Sequence, residues 1–363
     1  MNSRKKEPEA LAVKSRWCYS EIMINGVKHS NGHKIEGIVP SNEPAIPGSK
    51  IEESTVKFDL EAVLSAVRPL RSVVPVDAHS AGTLGTEREG NAVLIDESGL
   101  FLTIGYLVVE ATDVFIGGPD GTTLNAHPVG YDHETGFGLI RSVEVPAFAP
   151  IQVGDNSNHF VKGSRAIVSS FGGSRNALDA RVVDRRLFTG SWEYMVESAI
   201  FTAPLHPSWS GAALIDPENG SLCGIGSLLI QGPSGENEDE QGNMFVPIEL
   251  LPPIIDDLLK NGKRAGSARP WLGVYVSEAL GHLVIGSIFE GGPAANAGVQ
   301  HGDILEQVED KPVETLEEFY RELWSTGEAG TSIKLGIIRG SASMDIFVRS
   351  GDRREYYKQP RRH

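Results

Sequence analysis

The segment HPSWSGAALI, from His206 to Ile215, holds the residue whose type and setting could do chemistry. A tight polar turn presents the hydroxyl of Ser210 and then enters an apolar stretch of small residues. A serine nucleophile needs such a turn, because backbone N–H groups beside the hydroxyl can stabilise an oxyanion. Those groups would belong to the turn Ser208, Trp209 and Ser210.

Two positions depart from the usual pattern of such turns: Ser208 stands where glycine is common, and Ala212 follows Gly211. A serine in a turn is more often an ordinary polar residue than a nucleophile. Its hydroxyl is a weak nucleophile unless a neighbouring base takes its proton. Whether Ser210 is catalytic therefore depends on a base and an acid elsewhere in the chain.

Short apolar runs between turn residues dominate residues 80–246 and would position this turn. They are Ala92–Ile95, Leu100–Ile104, Val114–Ile116, Phe137–Ile140, Arg165–Val168, Ala180–Val183 and Leu222–Ile225. Strands at this spacing, without long helices between them, predict an antiparallel barrel or sandwich. The acidic stretch Glu236–Gln241 is interpreted as a solvated hairpin tip rather than a metal site, because adjacent carboxylates alone do not make a cage.

Helical patterns flank this β-rich region. Apolar residues recur at helical spacing from Phe58 to Val67, and Pro69 closes the run. We expect this amphipathic helix to pack on the following domain or on another subunit. A second helix is predicted at Pro252–Asn261, and residues 263–269 form a linker rich in Gly, Ser and Ala.

Residues 270–350 form a further unit of mixed strands and helices. Strands are predicted at Leu272–Val276, Leu283–Ile288, Asp303–Val308, Ile333–Ile338 and Met344–Val348, and helices at Pro293–Ala297 and Leu316–Trp324. Thr315 and Glu318 are spaced as a capping box for the longer helix. The Arg-rich tail from Arg349 is expected to be frayed and solvated.

The composition limits the function. The 363 residues carry a formal net charge of −15, which argues against a nucleic-acid partner and against an anionic membrane surface. Cys18 and Cys223 are the two cysteines, so a disulfide framework, a zinc site or another cofactor is not expected.

The N-terminus is basic without an apolar run behind it, and no stretch of 18 residues is apolar enough for a membrane span. The sequence therefore predicts a cytoplasmic protein, or a periplasmic one if the start is misassigned. Residues 1–56 show no sustained periodicity and are expected to be disordered or weakly ordered.

Several segments, in order, resemble the HtrA (Deg) serine proteases. Four segments match: Asn243–Ile248, Arg269–Val274, Gly292–Val299 and Gly302–Leu305. The predicted helix at Pro252–Asn261 connects the first segment to the second. The resemblance implies a mainly β fold: a trypsin-like double β-barrel followed by an α+β PDZ domain. The expected divisions are an N-terminal segment 1–56, a helix and lead-in 57–79, a barrel domain 80–262, a linker 263–269, a PDZ domain 270–350 and a polar tail 351–363.

The resemblance places the catalytic triad of the family on three positions, and two are substituted. The family's histidine falls on Tyr106, its aspartate on Gly136 and its serine on Ser210. A tyrosine, with a pKa near 10, is a poor general base at neutral pH, and glycine offers no charge to orient an imidazolium. These substitutions predict a pseudoprotease.

Alternatives remain open at this stage. Ser210 could work with a non-standard base, such as a dyad rebuilt from His206, His133 and Asp132, which would make the chain an active serine endopeptidase. Tyr106 could instead hydrogen-bond Ser210 and fill the space of the missing histidine. A third alternative is a purely structural assembly subunit.

The PDZ resemblance implies a groove that binds C-terminal or unfolded peptide segments of other proteins. The loop Trp271, Leu272, Gly273 and Val274 would present N–H groups to a peptide carboxylate. The groove would also include Tyr275 and Val276 on the edge strand and Phe319, Tyr320 and Leu323 on the helix, although some of these residues could simply be core. A homo-oligomer built on the barrel and the helix near residues 58–68 is the other expected interaction.

Overall fold

The structure, a computed structural model, describes residue 51 and residues 53–237 and 239–358. The predicted N-terminal segment 1–56 therefore lies almost entirely outside the described residues, and so does part of the acidic stretch Glu236–Gln241. Five α-helices are found in the described residues: α1 Leu60–Ser65, α2 Ala81–Leu84, α3 Ile255–Asn261, α4 Pro293–Asn296 and α5 Leu316–Ser325. None of these helices is long and apolar enough to span a membrane.

The first six strands close into a barrel in the order β1-β2-β3-β6-β5-β4. They are β1 Val67–Val73, β2 Glu87–Leu94, β3 Leu100–Ile104, β4 Asp113–Gly117, β5 Thr123–Tyr131 and β6 Phe137–Ser142. All five residues of β3 are buried, and its one polar side chain, Thr103, donates to the Asn91 carbonyl at 2.6 Å. The strands that the sequence predicted here are confirmed in position. Strand β3 has the predicted ends, β4 and β6 are longer by one or two residues at an end, and β2 starts earlier than predicted and stops before Ile95.

The first barrel begins before residue 80, because the chain changes from helix to strand earlier than the sequence suggests. Helix α1 ends at Ser65, and Val67 already pairs with β2. Pro69 lies inside β1 instead of closing a helix; the ladder with β4 starts only at Leu70. The missing N–H of Pro69 therefore costs no bond to β4, which is how a proline is tolerated in a strand.

The next six strands close into a second barrel in the order β10-β11-β12-β9-β8-β7. They are β7 Arg165–Ser169, β8 Ala177–Gly190, β9 Tyr194–Ala203, β10 Ala213–Ile215, β11 Leu222–Gln231 and β12 Gln241–Pro247. Two closed barrels in series confirm the predicted double-barrel fold. Helix α1 packs on them: Leu60 and Leu64 belong to the shared hydrophobic core.

Strands β8 and β9 form the longest hairpin of the second barrel, and its end is central to the site. Gly190 pairs with Tyr194, which leaves Ser191, Trp192 and Glu193 as the connection. We call residues Gly190–Glu193 the β8–β9 tip. Glu193 adopts a φ of 55°, a left-handed conformation that is uncommon outside glycine and therefore indicates a residue held by its contacts.

The C-terminal domain is a sheet in the order β13-β14-β15-β17-β18, with β16 paired to β15. Its strands are β13 Val274–Ala279, β14 His282–Ile288, β15 Ile304–Val308, β16 Lys311–Pro312, β17 Ser332–Arg339 and β18 Ala342–Arg349. Helix α5 carries the predicted capping box between Thr315 and Glu318. This mixed α+β unit after the barrels confirms the predicted order of folds.

The prediction of a frayed tail is wrong for residues 351–358. Gly351 forms a β-bridge with Trp271, and residues Arg353–Tyr356 make a 3-10 turn whose start is capped by Asp352. The ring of Tyr356 packs on Trp271, with centroids 4.8 Å apart. The Arg-rich composition suggested a solvated end, but the two tyrosines supply apolar surface that binds the segment to the C-terminal domain.

Candidate active site and peptide groove

The hydroxyl of Ser210 lies against a phenol and not against a base. The Tyr106 hydroxyl is 2.8 Å from Ser210 Oγ and donates its hydrogen bond to the Ser227 carbonyl at 2.7 Å. A phenol has one proton, so Ser210 must donate to Tyr106. The proton that a nucleophile would lose thus points at an oxygen that is already protonated.

The environment of Tyr106 makes that oxygen a still poorer proton acceptor. Burial of the phenol raises its pKa above the ordinary value, and the hydrogen bonds from Ser210 and its neighbours offset this only in part. Burial disfavours the charged form, so the phenol stays neutral at physiological pH. The described geometry therefore gives Ser210 no proton acceptor at this position.

Gly136, on which the resemblance places the family's aspartate, lies where a larger side chain would be too close to its neighbours. Its φ is +85°, and a Cβ built there would be 2.8 Å from the Tyr194 hydroxyl. That hydroxyl donates to the Thr135 carbonyl at 2.7 Å, so it is fixed in place. Tyr194 thus occupies the space beside Gly136 that an aspartate side chain would need, and sequence reasoning did not single out this residue.

The turn around Ser210 is held by several hydrogen bonds, and one of its backbone donors is used within the chain. An oxyanion hole of this type uses the N–H of the serine and of the residue two positions before it. Here the Ser208 N–H donates to His206 Nδ1 at 3.1 Å. The donor that should meet a substrate oxygen is bonded within the chain instead.

The first barrel holds this turn through Asn91 on β2. The Asn91 side-chain amide donates to the carbonyls of Ser208 and Ser210, both at 3.0 Å, and its Oδ1 accepts from the Phe171 N–H at 2.9 Å. Gly211 has a φ of +72°, and a Cβ there would lie 2.0 Å from the Asn91 carbonyl, so only glycine fits.

His206 does not supply the missing base. It is fully buried, and because Nδ1 accepts from Ser208, Nε2 carries the proton and donates to the Asn176 carbonyl at 3.0 Å. Burial lowers the pKa of His206. Both ring nitrogens are engaged, and the ring is neutral.

Asp132 and His133 are engaged elsewhere too. Asp132 forms a two-pronged ion pair with Arg264 and accepts hydrogen bonds from Thr135. The His133 ring packs edge-on against Tyr131 and stacks on Tyr357, and burial lowers its pKa well below the ordinary value. The rebuilt dyad is not assembled in this structure.

A cavity of about 360 Å3 lies where the barrels, the C-terminal domain and the tail meet. Its walls combine polar and aliphatic residues with the aromatic residues Tyr106, Tyr131, Trp192, Tyr194, Tyr275, Phe289 and Tyr357. Its lining residues do not include Ser210, whose relative exposure is 9%. The hydroxyl is therefore poorly placed to meet a substrate carbonyl from this cavity.

The predicted carboxylate loop of the C-terminal domain is filled by the chain itself. Three consecutive N–H groups converge on the carboxylate of Glu193: Leu272 at 3.0 Å to Oε2, Gly273 at 2.7 Å and Val274 at 3.1 Å to Oε1. Glu193 belongs to the second barrel, and sequence reasoning did not find it because nothing in the motif SWEY distinguishes an exposed turn glutamate from a buried one.

The other predicted groove residues divide into two groups. Val276 and Tyr320 contact the β8–β9 tip: the Val276 N–H donates to the Ser191 carbonyl at 2.9 Å, and the Tyr320 hydroxyl donates to the Gly190 carbonyl at 2.6 Å. The remainder have other partners. Phe319 and Leu323 lie in the hydrophobic core, Tyr275 lines the cavity, and the Trp271 N–H pairs with Gly351.

One cluster of potential metal ligands lies outside this region, in the described residues. His159, Asp216 and Cys223 place their ligand atoms within 4.8 Å of one another. His159 Nε2 is 3.3 Å from Asp216, and burial raises the pKa of the Cys223 thiol to about 12. We assign no role to the cluster.

Two family models match the chain: the trypsin-like peptidase domain over residues 90–225 and the PDZ domain over residues 270–349. Both matches fall on the units that the structure shows as barrels and C-terminal sheet. These two domains in this order, together with the relatives described below, support a relationship to the HtrA/Deg family.

Curated members of the HtrA/Deg family are similar over most of this chain. A probable periplasmic serine endoprotease DegP-like of Pseudomonas putida (strain W619) is 26% identical over 275 residues, which cover 72% of this chain and 55% of that protein. Serine protease PepD of Mycobacterium tuberculosis is 25% identical, covering 77% and 62%. Protease Do-like 1, chloroplastic, of Arabidopsis thaliana is 25% identical, covering 82% and 71%.

The chain thus spans a little over half the length of the first of these HtrA/Deg relatives. Among solved structures, the HtrA-type protease AlgW with decapeptide is 17% identical, covers 84% of this chain and 100% of that one, and has a TM-score of 0.49. The expectation of a cytoplasmic location gains no support, since relatives are named periplasmic or chloroplastic.

Proposed function

We propose that this HtrA-like protein is a pseudoprotease that works as a peptide-binding or regulatory module through its PDZ domain. The observation that carries the proposal is the direction of the hydrogen-bond chain from Ser210 through Tyr106 to the Ser227 carbonyl. A serine alcohol becomes a useful nucleophile only when a neighbouring group accepts its proton. Here the neighbouring group is a phenol whose pKa burial raises.

The partner class follows from the PDZ match. We propose C-terminal or unfolded peptide segments of other proteins as ligands, because a PDZ groove adds a peptide as a strand and holds its carboxylate with backbone N–H groups. The loop Leu272, Gly273 and Val274 has such N–H groups, and in this structure they already bind a carboxylate. A homo-oligomer through the barrels remains part of the proposal.

The test is active-site labelling with a fluorophosphonate probe, together with cleavage of unfolded casein. We expect no labelling above that of Ser210→Ala, and casein turnover roughly 10^6-fold below that of an enzyme with an intact triad. A catalytically active HtrA protease treated in parallel shows that the probe and substrate work. Turnover that is lost on Ser210→Ala substitution would show that the chain is an active endopeptidase with a non-standard base.

A further inference from the structure

The β8–β9 tip makes, within one chain, the contacts that a PDZ domain makes with a bound peptide end. The Glu193 carboxylate accepts hydrogen bonds from the N–H groups of Leu272, Gly273 and Val274, each at 3.1 Å or less. Glu193 is 6% exposed, so water does not share these donors to any great extent. A peptide carboxylate would need the same three N–H groups.

The backbone of the tip is bonded along the groove as well. On one side, the Val276 N–H donates to the Ser191 carbonyl at 2.9 Å, which extends the edge of the sheet. On the other side, the hydroxyl of Tyr320 on α5 donates to the Gly190 carbonyl and accepts from the Glu193 N–H at 3.1 Å. The tip therefore lies between β13 and α5, the two elements that line a PDZ groove.

Two further contacts fasten the tip. Arg353 donates from Nη1 to the Trp192 carbonyl at 3.2 Å, so the tail segment closes over the tip from outside the groove. Met195, just after the tip, packs on the hydrophobic core of the C-terminal domain. Neither contact is needed to close the second barrel, which its ladders already complete.

We infer that the β8–β9 tip is an internal ligand of the PDZ domain, with Glu193 in the place of a peptide's terminal carboxylate, so that external peptides enter only when the tip leaves. The expected effect on external peptides rests on the proposed peptide-binding function. The contacts between the β8–β9 tip and the groove do not depend on that function. An internal ligand lowers the apparent affinity for a competing peptide by the fraction of molecules whose groove is open. Removing the Glu193 carboxylate should therefore raise peptide affinity.

The experiment compares the full chain with Glu193→Ala and with the matched variant Glu197→Ala. Glu197 is on the same hairpin and pairs with Arg321 of the groove helix, but it does not touch the carboxylate loop. Two quantities are measured: hydrogen exchange of the segment containing residues 272–274, and binding to an array of decapeptides with free C-terminal carboxylates. The same decapeptides with C-terminal amides report binding that does not need the carboxylate.

We expect Glu193→Ala to speed exchange at residues 272–274 and to strengthen binding of free-carboxylate peptides at least about tenfold, whereas Glu197→Ala leaves both as in the unmodified chain. Unchanged exchange in Glu193→Ala overturns the inference. Equal peptide affinities of the unmodified protein and Glu193→Ala would also overturn the inference. The proposed peptide-binding function would stand in that case. Faster exchange in Glu193→Ala without peptide binding by any variant supports the internal contact and contradicts the peptide-binding function.

Discussion

At the scale of single residues, the predicted triad positions are surrounded by side chains that have hydrogen-bond partners of their own. Tyr106 holds the Ser210 hydroxyl, the Tyr194 hydroxyl lies over Gly136, and the His206 ring takes the Ser208 N–H. Each group is also bonded to a backbone carbonyl, which favours its present position. Because Tyr194 and His206 would keep these partners, we expect that restoring the residue types at positions 106 and 136 does not restore the geometry of a triad.

We expect Tyr106→His combined with Gly136→Asp to remain inactive and to be less stable than Tyr106→His alone. An aspartate at 136 would need a left-handed backbone and would place its Cβ 2.8 Å from the Tyr194 hydroxyl. Overpacking of this kind costs about 1–3 kcal/mol. Thermal unfolding and casein cleavage are the measurements.

The matched variant adds Tyr194→Phe, which removes the obstructing hydroxyl. It should recover part of the lost stability without reaching the activity of an intact protease, because the Ser208 N–H remains bonded to His206. Full proteolysis by the double variant would contradict the assignment of Tyr194 as the obstruction.

Glu193 predicts a pH dependence of stability. Burial raises the pKa of Glu193 to about 7. The three N–H hydrogen bonds and the nearby Arg353 guanidinium favour the carboxylate and offset this rise only in part. The folded chain therefore binds more protons than the unfolded chain between about pH 4.5 and pH 7, and its free energy of unfolding should fall as the pH rises through that window. The decrease is roughly 2–4 kcal/mol, and the contribution is constant above the window.

Denaturant unfolding between pH 4.5 and pH 8 measures this contribution. Glu193→Gln should show a smaller decrease over the window than the unmodified chain, and Glu197→Gln should follow the unmodified chain. Identical pH profiles for the unmodified chain and Glu193→Gln would show that the buried carboxylate is not the titrating group.

At the scale of elements, strand β2 of the first barrel supports the Ser210 turn of the second barrel. Asn91 on β2 is 1% exposed and bonds to the turn with both its backbone and its side chain. A turn held by another barrel can keep its shape whatever chemistry Ser210 performs, because its hydrogen-bond partners lie outside the turn.

We expect Asn91→Ala to lower the free energy of unfolding by about 2–4 kcal/mol, because the carbonyls of Ser208 and Ser210 and the N–H of Phe171 would lose buried partners. Urea unfolding is the measurement. Asn125→Ala, at an exposed position of β5, is the control and should change the free energy by less than about 0.5 kcal/mol. Equal effects of the two substitutions would contradict the bracing role.

At the scale of the whole molecule, the barrels and the C-terminal domain are joined by contacts at the peptide groove, at the cavity between them and at the linker. The β8–β9 tip fills the peptide groove, and the tail residues Arg353 and Tyr357 line the cavity between the domains. The ion pair of Asp132 with Arg264 ties the first barrel to the linker. The structure is thus a closed arrangement of an HtrA-like chain, and its proposed ligand must compete with the chain itself.

The sequence alone determined the order of the folds. Turn residues at regular spacing predicted the strands, and the spacing of Thr315 and Glu318 predicted the capped helix α5. The resemblance to the HtrA/Deg proteases supplied the double barrel, the PDZ domain and the triad positions on which Tyr106 and Gly136 fall. These features can be inferred without knowing what is packed against them.

Only the tertiary structure decided what fills the vacated places. Tyr194 and Glu193 reach Gly136 and Gly273 from more than 50 residues away in sequence, and the tail docks through Tyr356 on Trp271. No local pattern marks such residues, because the residues adjacent to a glutamate in the sequence do not show whether its side chain is buried or exposed. Their roles come from the desolvation and hydrogen bonding that exist only once the barrels and the C-terminal sheet have come together.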